Sequence, residues 1–304
     1  MSGIFWHVFS FGAIFIFLIL AACRVLTIVR QPIHLRWELA PIPHEKGKGK
    51  YGGSYLEEYE WWRKPRKHSL VAPIVYMLRE ILFMRGVWKN RRSLWPFSYS
   101  LHAGIYLIVI TIFLHILNAI FLVTDVPVSV LNIFHHIASI TAIAGYILGT
   151  VGSIGLILKR RLDVDYRPFT TWSMYFRLVF LAAVFLSGIG AWWATTAYAT
   201  EMSQFVKSLI TLDGSITVAP ASAAHIIMTL LFIIYLPLTD MLHFITKYFT
   251  HHAVRWNDAP LDAKLNKKIL GLVTRPIRWS APHAGSGKSW AAIMSGEKDN
   301  AEKT

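Results

Sequence analysis

One cysteine, Cys23, stands in a chain of 304 residues. That scarcity excludes an internal disulfide and any cysteine-ligated iron–sulfur cluster built from this chain alone. A cluster that exchanged electrons with it would belong to a partner. Charge is also scarce: Asp, Glu, Lys and Arg supply 16% of the residues, against 54% hydrophobic. Five stretches contain none of the four charged types: Phe5 to Cys23, Ser93 to Thr124, Val126 to Leu158, Leu178 to Thr200 and Gly214 to Thr239. A soluble core needs no such runs, whereas roughly 20 apolar residues rising about 1.5 Å each are what roughly 30 Å of hydrocarbon requires. The pattern predicts an all-α membrane protein, a five-transmembrane-helix bundle.

What charge there is leans one way, to a net +14. Its distribution decides what that means. The segment Arg30 to Tyr99 holds 14 Lys or Arg, Lys159 to Trp172 holds four, and the chain from Lys247 holds ten, so 28 of 31 basic residues fall on one side of a five-span chain. Arg24 and Arg177 sit at span ends on that same side, and Lys207 lies opposite. This is the positive-inside bias of a cell inner membrane protein, with the N-terminus outside and the C-terminus cytoplasmic. A basic chain can also bind nucleic acid, but no base-reading or single-strand module accompanies the charge, so no nucleic acid partner is expected. The first apolar stretch has no basic residue before it, and Arg24 and Arg30 follow it, which reads as a retained span and not a cleaved leader.

The organisation expected is a first span over 1–29, a cytoplasmic insertion over 30–98, a four-span membrane core over 99–249 and a largely irregular cytoplasmic tail over 250–304. Within the insertion, residues 70–88 are apolar but interrupted by Arg79, Glu80 and Arg85, as in a helix lying on the membrane or against a subunit. Span 5 is expected to run from about Pro220 to Phe249, and Ala197 to Ala219 reads as an outer loop. In span 3, Gly145, Gly149, Gly152 and Gly155 read as small positions for close helix packing. Gly285-Ser-Gly-Lys-Ser289 resembles the end of a phosphate loop but has Pro282 where that motif needs its first glycine.

Six of 13 histidines lie inside or at the ends of spans 2, 3 and 5: His102, His115, His135, His136, His225 and His243. An ionisable group in hydrocarbon is costly, which makes each a candidate for function. If span 5 is one helix, His225 and His243 are five turns apart, on one side and separated by about 27 Å. His102 and His115 lie about 20 Å apart along span 2 but differ by about 140° around it. Because spans 2 and 5 run in opposite directions, His102 matches His243 in height near the inner end, and His115 matches His225 in the outer half. Two cross-helix imidazole pairs are what two bis-histidine haem b groups require. The azimuth mismatch on span 2 leaves open that His135 or His136 replaces His115 in the outer pair. The adjacent His135 and His136 could instead take up or release a quinol proton. Arg177 could pair with a haem propionate, and Asp240 could orient the ligand network or bind a proton.

These features resemble the gamma subunit family of respiratory nitrate reductase, on Leu101-His102-Ala-Gly-Ile105 opening span 2, His115 later in it, and His225 with His243 in span 5. The resemblance covers roughly residues 1 to 250 and implies the pairings His102 with His243 and His115 with His225. The helix 2 histidines are farther apart than in the nitrate-respiration pattern, and the insertion is large. Leu39-Ala-Pro-Ile-Pro43 and Tyr51-Gly-Gly-Ser54 are similar to the branch found in heterodisulfide-reductase-like and sulfate-reduction-associated complexes. That branch implies electron exchange between menaquinone or menaquinol and a cytoplasmic iron–sulfur subunit. It also implies other membrane subunits and a periplasmic multihaem cytochrome c. The competing expectations are a membrane anchor or scaffold without haem and a transporter, the latter disfavoured because the sequence has no duplicated halves or paired broken helices.

Overall fold

A computed structural model describes residues 2–31, 57–60, 64, 69, 71–124, 126–249, 263–280 and 285–296. The segments Leu39 to Pro43 and Tyr51 to Ser54 and the linker residue Asp125 lie outside the described residues. Two compact units divide the chain, Met1–Trp256 and Asn257–Thr304.

In the first unit the helices are α1 (Gly3–Val29), α2 (Val71–Phe83), α3 (Arg85–Asn90), α4 (Trp95–Val123), α5 (Val128–Leu162), α6 (Trp172–Ala194), α7 (Tyr198–Thr211), α8 (Pro220–Tyr235) and α9 (His243–Lys247). No strand occurs among the described residues. Five helices are long and apolar enough to cross a membrane: α1, α4, α5, α6 and α8 with its 3-10 extension to Leu238. The protein is therefore a multi-pass membrane protein by length and composition, and its five spans are those expected. Local chemistry sets their ends. Ser2 caps α1 by accepting from the Phe5 N–H, and prolines open α4 and α8, where a missing N–H leaves no bond unmade. Lys159, Arg160 and Arg161 close α5, complementing the partial negative charge of a helix C-terminus.

The spans pack as a row, α4 on α5, α5 on α6, α6 on α8 and α8 on α1. Helix α7 covers parts of α4 and α5. The α4–α5 contact is the tightest because glycine makes it so. A methyl group on Gly104 would come within 2.5 Å of the Gly149 backbone nitrogen, and one on Gly152 would collide with the Leu101 backbone. The small residues foreseen in span 3 are thus contact points for span 2. The main core is centred on Trp6, Leu101, Tyr146, Phe185, Ile226 and Phe232, and a smaller cluster joins Leu114, Ala138 and Ala199. Many apolar side chains face outward instead, including Phe15, Phe113 and Ile140, each about two-thirds exposed at 64%, 63% and 66%. That outward apolar surface is what lipid contact demands and what water would penalise.

Two expectations need correction. Span 5 is not one helix to Phe249. It stops at Tyr235, passes through 3-10 turns at Leu236–Leu238 and Asp240–Leu242, and resumes as α9. Pro237 is the reason, since it has no N–H to donate and its ring crowds the preceding turn. The expected outer loop contains α7, which buries Tyr198, Ala199, Met202, Phe205 and Ser208 at helical spacing. Among the described residues of the second unit are helices α10 (Ala263–Val273) and α11 (Trp290–Met294). Gly285 to Ser289 forms a turn there, with Gly287 at a φ of 87° and Ser289 capping α11.

The helix expected over 70–88 is split at Met84, whose φ is 48°, into α2 and α3. Glu80 accepts from the Gly86 N–H at 3.1 Å, the Tyr106 hydroxyl donates to the Ile81 carbonyl at 2.6 Å, and the Trp95 indole donates to the Phe83 carbonyl at 3.0 Å. Helix α2 is thereby tied to the N-terminal part of α4. If the glycine seam sets the α4–α5 distance, Gly104→Ala is expected to destabilise the protein by about 1–3 kcal/mol through overpacking. Gly190→Ala, at a position with nothing within 4 Å, is expected to be neutral or slightly stabilising. Thermal unfolding of both variants in one detergent compares them.

Candidate functional site

The site expected near the inner end is built from the first turns of α4 and from the segment after the break in span 5. His102 Nδ1 lies 2.7 Å from the Ser98 carbonyl, one turn earlier. A carbonyl can only accept, so Nδ1 carries the proton and Nε2 is left as a bare lone pair. His243 repeats the arrangement, with Nδ1 donating to the Asp240 carbonyl at 3.1 Å. The two rings stand 6.1 Å apart between centroids, with planes 54° from one another. Two metal–imidazole bonds of about 2 Å and the half-widths of two rings come to about 6 Å. Donation of the second ring nitrogen to a carbonyl is also the usual way a ligating histidine is held in one tautomer. The inner pair therefore fits a bis-imidazole metal site in both separation and tautomer, although the helical relation between His225 and His243 used to find it is removed by the break.

Around this pair the interrupted backbone is held by charge. The carbonyl of Pro237 accepts from the Arg24 guanidinium at 3.2 Å, and the Thr239 hydroxyl donates to the Leu236 carbonyl while accepting from the Met241 N–H. Arg177 forms an ion pair with the Asp240 carboxylate and also donates to the Ser173 carbonyl. The partner found for Arg177 is thus Asp240. Lys247 reaches Glu80 of α2 at 3.7 Å.

The outer residues behave differently. His115 is buried, and its Nδ1 lies 3.1 Å from Ser203 Oγ on α7. Ser203 spends its own proton on the Ala199 carbonyl, so it accepts from Nδ1, and His115 Nε2 is left buried with no partner. His225 has no free nitrogen. Its Nδ1 is 3.0 Å from Ser187 Oγ, which donates to the Val184 carbonyl, and its Nε2 is 2.9 Å from the Tyr146 hydroxyl. Tyr146 is in turn 2.6 Å from the Tyr198 hydroxyl, and Gly188 leaves room for the Tyr146 ring. The bonds run one way: Tyr198 donates to Tyr146, and Tyr146 donates to His225. Burial holds the Tyr198 hydroxyl well above the ordinary phenol range, which keeps it a donor.

His115 and His225 thus have separate partners, and no ring contact joins them among the described residues. His135 has a buried, unpartnered Nε2, whereas His136 is exposed and donates to the Asn132 carbonyl at 2.6 Å. Asn118, fully buried one turn beyond His115, lacks a partner for either side-chain atom. The hydroxyls of Thr111 and Thr141 bond at 2.9 Å and the rings of Phe121 and Phe134 touch, which puts His135 at the height of His115 and Asn118 in the antiparallel α4–α5 pair. Buried polar atoms are nearly always satisfied, so the unpartnered atoms of His115, His135 and Asn118 mark this cluster as a candidate site.

No family model, curated protein or solved structure matches the chain. The site is read from its own geometry. Asn118, Ser203, Tyr146 and Tyr198 were missed in the sequence. Asn118 carries the plainest signal of the four, an amide in an otherwise apolar run one turn after a histidine. Tyr146→Phe removes the only donor to His225 Nε2. It is expected to cost about 1–3 kcal/mol, from the unpaired buried nitrogen. Thermal unfolding beside Tyr198→Phe, which leaves His225 paired, measures the difference.

Proposed function

We propose that this chain is a dihaem cytochrome b subunit that passes electrons between a menaquinone/menaquinol pool and a cytoplasmic iron–sulfur partner, with its N-terminus outside and its basic face inside the cell inner membrane. The observation that carries the reading is the inner pair: two imidazoles from different elements, each with Nδ1 committed to a carbonyl, with ring centroids 6.1 Å apart. Each ring keeps Nε2 as a lone pair, the form in which an imidazole takes a metal, and the centroid separation is of the size two metal–imidazole bonds need.

Haem, when bound, supplies one-electron chemistry at a potential set by its ligands and surroundings. His102 and His243 would hold the inner group. His115, with its free Nε2, and His225 would hold the outer one, and His225 can do so through Nε2 only when the Tyr146 hydroxyl withdraws. The protein's own part is to fix tautomers and exclude water. His136, exposed at the start of α5, and the neighbouring His135 are suited to take a proton from a quinol. The iron–sulfur partner is expected because this chain has no cysteine set of its own. The expected docking regions, the insertion and the tail, are described only in part. A heterodisulfide-reductase-like subunit on that face, with other membrane subunits and a periplasmic multihaem cytochrome c, completes the complex the resemblance implies.

Two measurements test this. The dithionite-reduced spectrum of the purified protein is expected to show a b-type α band with two haems per chain. His102→Ala and His243→Ala should each remove the same haem, and the double variant no more than either. A wild-type protein without the band would leave the anchor or scaffold reading standing. For orientation, cysteines placed at Asp213 and at Asp163 in a Cys23→Ser background are expected to react with an impermeant maleimide from outside and only after lysis, respectively. The reverse pattern would invert the topology.

A further inference from the structure

The break in span 5 is built where the inner site needs it. A helix continuing through Pro237 would carry residue 243 around and down the same cylinder as His225. The chain instead leaves the helix, turns twice and restarts at His243. Restarted helices in hydrocarbon expose carbonyls that must be satisfied elsewhere. Arg24 from α1 satisfies Pro237, and Thr239 spans the gap between Leu236 and Met241.

Asp240 occupies the centre of this arrangement and faces two ways. Its carboxylate is held by Arg177 of α6, and its backbone carbonyl takes the proton of His243 Nδ1. Moving the carboxylate therefore moves the carbonyl that sets the ring of His243. The carboxylate is mostly exposed, at 68%, so the ion pair adds little to global stability. Lys247, four residues after His243, is tied to Glu80 of α2, so both ends of the short segment are fixed to different elements.

We infer that Arg177 and Asp240 are positioning residues: their ion pair, acting through the Asp240 carbonyl, fixes the orientation of the His243 imidazole opposite His102. This rests on the haem reading for its ligand, while the latch itself is a property of the polypeptide. Two consequences separate it from simple packing. First, the 54° between the ring planes should change when the pair is broken. Second, the two charges should act on the inner haem with opposite sign. Losing the carboxylate leaves an uncompensated guanidinium that favours the reduced state, and losing the guanidinium leaves an anion that favours the oxidised state.

The test uses the full-length protein in native membranes and compares wild type with Asp240→Asn, Asp240→Glu, Arg177→Gln and the Asn/Gln double variant. In Asp240→Asn and Arg177→Gln the low-spin ferric electron paramagnetic resonance signal of the inner haem is expected to shift, and Asp240→Glu should return it toward wild type. The potential should rise in Asp240→Asn, fall in Arg177→Gln and lie between them in the double variant. Hydrogen exchange across His243–Lys247 should quicken in both single variants whether or not haem is present. An Asp240→Asn protein with full haem content, an unchanged signal and unchanged exchange overturns the inference while leaving the cytochrome reading intact. Wild-type protein with no haem overturns that reading, and exchange then decides the latch on its own; unchanged exchange in Arg177→Gln would sink it if Asp240→Asn failed to fold.

Discussion

In a bundle surrounded by hydrocarbon, every imidazole nitrogen has to be matched to a donor, an acceptor or a metal, because water is not there to do it. That constraint sorts the histidines of this protein. His225 is fully matched by Ser187 and Tyr146, His102 and His243 are neighbours each matched at Nδ1 alone, and His115 is matched on one side and buried on the other. Each half-matched ring has its Nδ1 proton fixed by an oxygen that can accept it. The open nitrogens are therefore all lone pairs, the form in which imidazole binds a metal.

The row of spans serves that arrangement. Among the described residues α4 and α8 have no substantial backbone contact with one another, and α5 and α6 link them in the row. The seam of glycines lets α5 lie against α4 with no side chain intervening, and the paired histidines are carried by the elements at either side. Helix α7 contributes from the end of the bundle, through Ser203 beneath His115 and Tyr198 behind Tyr146. Its Glu201 accepts from the Ala219 N–H and from the Ser222 hydroxyl, which also ties α7 to the start of α8.

Much of this was legible in the sequence. Uncharged runs mark spans because hydrocarbon tolerates few exceptions, and opposite helix directions were enough to match His102 with His243. What the sequence concealed was local and physical. Pro237 with Thr239 and Asp240 reads as a proline stop followed by a cap, but the apolar run around it masks that signal, so span 5 was drawn too long. Helix α7 alternates its buried residues at helical spacing within a polar stretch too short to cross a membrane. The occupant of His225 Nε2 depends on Tyr146, 79 residues away, and a contact at that separation leaves no trace in spacing.

The glycine seam also divides the molecule mechanically. Backbone laid on backbone has no rotamers to adjust, so α4 and α5 behave as one stiff plate bearing His102. His243 sits on a five-residue helix suspended from α8 by turns and tethers. The gap between the two rings is thus set by the plate on one side and, on the other, by the tethers to Arg177, Arg24 and Glu80.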